Sequence, residues 1–473
     1  MNSPTHGLVL GGGHAGMLAA TALARHLDTV TVVERDHYPE GPGHRKGAPQ
    51  AHHGHLFVAG GVEAVESLLP GTVERLMAEG AHRMGLPEDS ITLNAYGWQH
   101  RFPASHFMIT CGRELLDWVI REQALRNDRI TVVQGSDAGE LTGDADRVTG
   151  AVITDAQGRE RHVAADVVVD ARGRGSRLKQ WFAAQGREVE EEVLDLKLRY
   201  VTRVFAPPPR TMKEFHAVFN LFSDPTVPGP VSNAVMLPIE GDRWMLTASG
   251  VRGGEPPTDD EGFLAHLRRL AHPLLADLID LAEPLTHAQT TRTTSNRRTY
   301  YERLDPWPEG LIVVGDALAA FNPIYGHGLS AAALGVVAMD RSLDDTGTGD
   351  GAARQAVRAV GAVADEPWQW ATAQDIQYMD LEEDEANHLR SQMGAFVKMM
   401  MDAGPVQPVV SAALLNVHTL SAPQSTLQAP HVIAAVRRGA RRPVLTGPPL
   451  TDAERAFLAS HTKNGTAPGP GGA

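Results

Sequence analysis

The sequence predicts an α/β fold: a parallel sheet with helices between its strands, interleaved with a second, mixed β-sheet and followed by a helical C-terminal region. Three observations predict it. Short β-branched runs alternate with Ala/Leu-rich helical patterns over much of the chain, as parallel strands with crossover helices require. Residues 191–250 instead carry strand patterns in succession, separated by turn signals and no helix. Residues 352–401 read as helix.

The elements follow in order. Gly7–Leu10 is an apolar run ending in a glycine cluster, and Ala15–His26 reads as a helix. Thr29–Val33 is β-branched at nearly every position, which suits a strand buried on both faces. Ile130–Val133, Val167–Asp170 and Leu311–Gly315 have the same character, with helices expected at Gly112–Arg126 and Ser330–Ser342. The second sheet is expected from Val193–Ala206, His216–Ser223, Asn233–Glu240 and Arg243–Val251. Ala95–Phe102 and His106–Thr110 are expected to join it as a hairpin across Pro103. The predicted division is a discontinuous first domain at 1–90, 111–190 and 290–351, a β-sheet domain at 91–110 and 191–289, and a helical region at 352–461. The Gly/Pro/Ala-rich tail at 462–473 is expected to be disordered.

Composition narrows the function. Lys and Arg total 43 against 57 Asp and Glu, a formal charge of −14, which argues against a nucleic-acid partner. The single cysteine, Cys111, excludes an intramolecular disulfide and a thiolate zinc cluster. His52, His53 and His55 have no carboxylate or thiolate close in sequence, so no metal site is expected. The uncharged stretches Ala317–Met339 and Gly404–Val436 are broken by Gly, Asn, His or Pro, so no transmembrane segment is expected. The N-terminus lacks a signal-peptide pattern, and the expected location is cytoplasmic.

Gly11, Gly13 and Gly16 form G-x-G-x-x-G between a strand and a helix. The first glycine permits the tight turn, the second lets backbone approach a pyrophosphate, and the third lets helix and strand pack closely. The helix N-terminus then faces the phosphates. Glu34 closes the next strand, where a carboxylate accepts from a ribose diol. This loop alone leaves NAD and FAD open. A second loop, LIVVGDALAAFNPIYGHGLSA at 311–331, decides for FAD. Asp316 ends a strand and can accept from ribityl hydroxyls. Gly326 and Gly328 open a helix whose N-terminus suits negative charge on a reduced flavin ring. A third element, VVVDARGRGS at 167–176, delivers Asp170 and then a glycine turn.

These three elements resemble the FAD-dependent monooxygenases of the para-hydroxybenzoate hydroxylase type, over most of residues 7–340. The resemblance implies a Rossmann-like FAD-binding domain interleaved with a mixed β-sheet substrate domain. It implies that Gly11, Gly13, His14, Ala15, Gly16, Glu34 and Arg35 hold the ADP half, with Val133 offering backbone to the adenine. Arg113 is implied to reach FAD from the start of its helix, and Arg45 and Lys46 are expected at the flavin edge. Asp170 and Gly173 are implied to serve FAD and a transient NADPH, although the usual Asp-Gly pair is here Asp170-Ala171. Asp316, Pro323, Gly326 and Gly328 are implied to meet the ribityl chain and the ring.

More specific strings are HRKGAPQAHHGHLFVAGG, AYGWQHRFP, FMITCGRELLDW, RGGEPP and FNPIYGHGLSAAA. Together they resemble the flavin-dependent olefin epoxidases of polyether biosynthesis, of the lasalocid and monensin type and distantly similar to squalene epoxidases. That resemblance implies epoxidation of an apolar polyene by O2 through a C4a-hydroperoxyflavin. Electrons would come from NAD(P)H, taken transiently or through a partner flavin reductase. The cofactor carries the chemistry, so neither a side-chain catalyst nor a metal is expected. Candidate residues for an apolar substrate tunnel are Met108, Tyr200, Phe219, Met236, Trp244 and Tyr325, with Phe222 and Met245 nearby. An aromatic hydroxylase on the same fold is the main alternative. A halogenase or an isoprenoid reductase is less favoured, because the W-x-W-x-I-P segment of halogenases is missing.

Overall fold

The computed structural model describes residues 4–209, 211, 215–221, 229–291, 294–379 and 395–461. Phe222 and the tail at 462–473 lie outside the described residues.

The first sheet has five parallel strands in the order Leu311–Val313, Val167–Asp170, His6–Leu10, Thr29–Glu34 and Ile130–Gln134. Its central strands are apolar at nearly every position because helices and the antiparallel strands of residues 136–164 both pack against the sheet: Leu8, Val9, Leu10, Val168, Val169, Ile312 and Val313 have no exposed surface. The first helix, His14–His26, and the long helix Gly328–Thr346 pack together beside this sheet. All five strands end toward one edge, so Asp170, Gly11, Glu34 and the turn after Val313 line up along it. Ligands in open α/β sheets gather at the carboxyl ends of the strands.

The connection from Ile130–Gln134 to Val167–Asp170 carries no helix. Three antiparallel strands, Ser136–Gly143, Val148–Asp155 and Glu160–Ala164, fill it. The second sheet is mixed and has eight strands. Its centre is Arg199–Ala206, Arg243–Val251, Val231–Ile239 and Ala217–Asn220, and the last of these pairs in parallel with Ser90–Asn94. Helices Asp260–Leu267 and Leu274–Ile279 supply apolar residues to the core on one face of this sheet.

Two expectations are corrected. The run 193–206 is two strands, because Asp195 caps a turn at Lys197 (φ 57°) through its backbone N–H. The first part, Glu191–Leu194, joins a separate sheet against Asn296–Thr299. The hairpin across Pro103 does not form. Gly97–Trp98 folds back onto Ser90–Asn94, while His106–Thr110 pairs with both Leu56–Val58 and His82–Leu86. Met108, Ile109 and Thr110 are all buried, so that strand belongs between two neighbours and not at an edge.

After the two sheets come a long helix, Ala352–Ile376, and the helices Ala395–Ala403, Pro408–His418, Pro430–Arg438 and Asp452–His461. No helix among the described residues is long and apolar enough to cross a membrane. The acidic run at 381–385 lies outside the described residues.

Candidate functional site

The glycine loop is built by close approach. Gly11 adopts φ +99°, and a Cβ there would stand 2.7 Å from the Ala171 carbonyl. A Cβ on Gly16 would stand 1.8 Å from the Gly11 carbonyl, so the helix can rest on the strand only through glycine. Gly13 is different: a Cβ there meets nothing within 4 Å, and its backbone opens the helix N-terminus toward a cleft of about 550 Å³.

Glu34 closes the loop from the neighbouring strand. Its Oε2 accepts from the Gly12 amide (2.8 Å) and its Oε1 from the Asp36 amide (3.0 Å). Tyr38 donates its hydroxyl to the Gly12 carbonyl (2.8 Å), and Arg45 and Arg121 lie over its ring. Arg45 is buried between Glu34 (3.6 Å) and Asp117 (3.3 Å). Asp117 also takes a 2.7 Å bond from Arg113 Nε. Burial pushes the Asp117 carboxyl up, but Arg113 and Arg45 outweigh it and hold the group below the usual carboxylate range.

His14, in the first helical turn, is buried with its Nε2 3.1 Å from the Leu329 carbonyl. Since the carbonyl can only accept, Nε2 carries the proton, and Nδ1 is a bare acceptor with no partner among the described residues. Burial, helped by Arg113, lowers this histidine to about 4.

At the other end of the cleft lies the turn after Val313. Asp316 is half-buried, and its carboxylate has no hydrogen bond among the described residues. Burial raises it against the pull of Arg174, Arg113 and Arg297. Asn322 caps the short turn Pro323–Tyr325, and Gly326 (φ +68°) presses on Leu56, where a Cβ would stand 2.5 Å from Leu56 Cβ. Gly328 opens the long helix and, like Gly13, has nothing within 4 Å of a Cβ position. The strands ending near Asp316 and at Glu34 are three positions apart in the sheet, roughly 14 Å. The cleft therefore joins two helix N-termini, with a buried acid at one end and a half-buried acid at the other.

Residues 4–355 match the FAD binding domain family. The chain belongs to that family. Protein Rv3254 of Mycobacterium tuberculosis (strain ATCC 25618 / H37Rv) is 30% identical over 354 residues, covering 72% of this chain and 73% of that protein. Among solved structures, p-nitrophenol 4-monooxygenase PnpA from Pseudomonas putida DLL-E4 superposes with a TM-score of 0.61 at 16% identity, covering 94% of this chain and 100% of that one. The flavin-dependent brominase Bmp2 gives 0.59 at 16% identity, covering 92% and 98%. At such identities these likenesses show a shared fold.

The residues present fit FAD. Gly13 and Gly328 leave open space at two helix N-termini, where backbone N–H groups and helix dipoles favour anions. His14 Nδ1 is an unpartnered buried acceptor beside the same cleft.

Of the expected site residues, Gly11, Gly13, His14, Ala15, Glu34, Arg35, Arg45, Arg113, Gly173, Asp316, Pro323, Gly326 and Gly328 line this one cleft. Gly16 supports it from behind. Others are placed elsewhere. Asp170 is fully buried and spent: Arg172 (2.8 Å) and Ser176 (2.7 Å) occupy its oxygens, and Arg172, Gly173 and Arg174 line the cleft instead. Lys46 is exposed and off the cleft, while Arg45 sits at the Glu34 end, not beside the 323–326 turn. Val133 faces Val33 in the sheet, and Ser136, Asp137 and Ala138 line the cleft in its place.

The tunnel candidates divide by face. Met236 and Trp244 lie in the core shared with the helix residues Phe263, Leu267 and Leu275, so they are packing residues. Their neighbours alternate to the other face. There Met108 and Phe219 cluster with Met84, Leu237 and Leu56, and Tyr200 clusters with Ile324. Tyr325 donates to Asp375 (2.6 Å).

Glu114 is brought near His44 and His52, with one ligand atom from each within 4.8 Å of the others. The two imidazoles stack at 4.1 Å, which sets their in-plane lone pairs side by side and not onto one point. Arg292, the first of the basic run Arg292, Arg297 and Arg298, lies outside the described residues. Sequence reasoning missed Tyr38, Asp117, Arg172 and Asp375. Only Asp117 had a local signal, as the i+4 partner of Arg113.

Proposed function

We propose that the protein is a flavin-dependent monooxygenase that epoxidises carbon–carbon double bonds of an apolar polyene, such as a polyketide chain. O2 is the oxygen donor, and NAD(P)H supplies electrons directly or through a flavin reductase. In this reading Glu34 and the glycine loop hold the ADP half of FAD. The ribityl chain lies at Asp316, and the ring lies against the turn 323–328.

One observation carries the substrate class. Leu56 lines the cleft, touches Gly326, and belongs to an apolar cluster with Met84, Leu86, Met108, Leu237 and Phe219. The flavin end of the cleft thus adjoins a surface that suits a hydrocarbon and excludes water. Bound and reduced, FAD activates O2 and supplies an electrophilic oxygen atom. The chain's own residues orient: Gly328 leaves room for the ring, and the helix N-terminus behind it favours negative charge. Thr202, Thr247 and His53 form a hydrogen-bonded polar stripe beside the apolar cluster, which supports a substrate carrying oxygen functions along a greasy chain.

The second reading is an aromatic hydroxylase. It is favoured by the Tyr325–Asp375 pair, which could take a phenolic proton.

The test is turnover of purified holoenzyme with NAD(P)H under 18O2, on a panel of dienes and phenols, read by mass spectrometry. A labelled diene product that opens to a diol in acid supports epoxidation. Labelled catechols with untouched dienes overturn it in favour of the hydroxylase, and a chloride requirement overturns both.

A further inference from the structure

Behind the turn 322–326 is a carboxylate to which the epoxidase reading assigns no role. Asp375 lies near the end of the helix Ala352–Ile376, outside the segment that matches the FAD binding domain family, and is fully buried. Asn296 donates to it at 2.6 Å, Asn322 at 3.0 Å and the Tyr325 hydroxyl at 2.6 Å. Asn296 in turn accepts from the Asn322 amide at 2.6 Å. Asn296 and Asn322 also have no exposed surface. Among the described residues no Arg, Lys or His pairs with Asp375. The titratable groups nearby are Tyr325 on the turn, Tyr200 on the large sheet, and Tyr378, which lies beyond the helix end and acts on Tyr325.

The geometry points to Asp375 as a positioning residue for the flavin: through Asn322 and Tyr325 it fixes the ring-facing turn, and its charge sets the reduction potential of the bound cofactor. The argument is electrostatic and geometric. A carboxylate gripped by donors from both ends of the turn locks that turn's conformation. A buried negative charge without a counter-cation disfavours placing electrons nearby. Proton uptake removes that opposition and one acceptor together. Burial raises the Asp375 carboxyl to about 6, with the bonds from Tyr325, Asn322 and Asn296 opposing the rise, so the change falls within a physiological window. This inference rests on the ring lying at the turn, as in the proposed function, but not on the substrate.

The test is anaerobic dye-coupled titration of FAD in the holoenzyme across about pH 5 to 8. The potential of Asp375→Asn is expected to lie above that of the unaltered protein at pH 8 and to converge with it at pH 5. Tyr325→Phe, which removes one bond to the charged form, is expected to move the break in the curve to higher pH. Coincident curves for Asp375→Asn at every pH overturn the proposal. If that variant does not fold, an unmoved break in Tyr325→Phe overturns it. Gly328→Val reports on the ring itself, because its side chain projects into the open cleft. A changed flavin spectrum there with silent Asp375→Asn overturns the role of Asp375 alone, and silence in both overturns the ring placement with it.

Discussion

Glu34 accepts a hydrogen bond from the amide of Gly12 at 2.8 Å, so the acid and the glycine loop, 22 residues apart, form one unit. The same carboxylate lies 3.6 Å from Arg45 and is buried. Replacing Glu34 by Ala leaves the Gly12 amide and the Arg45 charge without this partner. Charge-assisted bonds of this kind contribute about 1.5–3 kcal/mol. FAD affinity, measured by fluorescence titration of apoprotein, is expected to fall roughly ten- to a hundredfold at that energy. Unchanged affinity would place the ribose away from Glu34.

Gly13 and Gly16 separate ligand binding from folding. A methyl on Gly16 strikes the Gly11 carbonyl, whereas a methyl on Gly13 meets nothing within 4 Å among the described residues. Gly16→Ala is therefore expected to lower the melting temperature of the apoprotein. Gly13→Ala is expected to leave that temperature unchanged and weaken FAD, because the methyl enters the cleft at the helix N-terminus where the proposed reading seats the pyrophosphate. Calorimetry of both apoproteins, followed by FAD titration, checks the pair. Equal stability losses in the two would contradict the packing described.

Four buried histidines set the response to acid. Burial lowers His14, His53 and His418 to about 4, and His327 to about 3. Unfolded, each takes up its proton near 6.5. Between pH 6.5 and 4 the unfolded chain thus binds more protons, and stability falls as pH falls. Asp375 acts oppositely, since the folded protein binds its proton from about 6. Asp316, also raised by burial, acts in the same sense as Asp375, and four imidazoles against these two carboxyls leave a net loss of stability in acid. Thermal unfolding followed from pH 7.5 to 4.5 is expected to show a steep decline below 6.5. A flat profile would mean that these imidazoles are not neutral in the fold.

What could be seen in the sequence follows how local each interaction is. The glycine loop, its helix and Glu34 occupy one contiguous unit, and glycine spacing reports close backbone approach directly. Asp316 and the 323–328 turn were legible for the same reason. Asp170 was misplaced because Arg172, two residues on, turns back to pair with it, and nothing in a strand-Asp pattern says whether the acid faces inward. Asp375 carried no signal: it meets Tyr325 from 50 residues away, on a helix whose composition is unremarkable. The strands at 136–164 gave little signal, because Ser136–Gly143 and Glu160–Ala164 are mostly polar or small.

Alternation along the large sheet separates packing residues from those that adjoin the cleft at Leu56. Phe205 pairs with Trp244 and Val204 with Met245, so successive residues point to opposite faces. Trp244 is fully buried among residues from the sheet and its two covering helices. Truncation there removes a large side chain from a closed core, a change that costs about 3–5 kcal/mol. Trp244→Ala is expected to lower the urea midpoint by a corresponding amount without altering the distribution of oxygenated products. Phe219 is half-buried on the opposite face, beside Leu56. Phe219→Ala is expected to cost less stability and to change the distribution of oxygenated products. Urea titration and product mass spectrometry on both variants check the assignment. A shifted product distribution in Trp244→Ala at unchanged stability would reverse the two faces of the sheet.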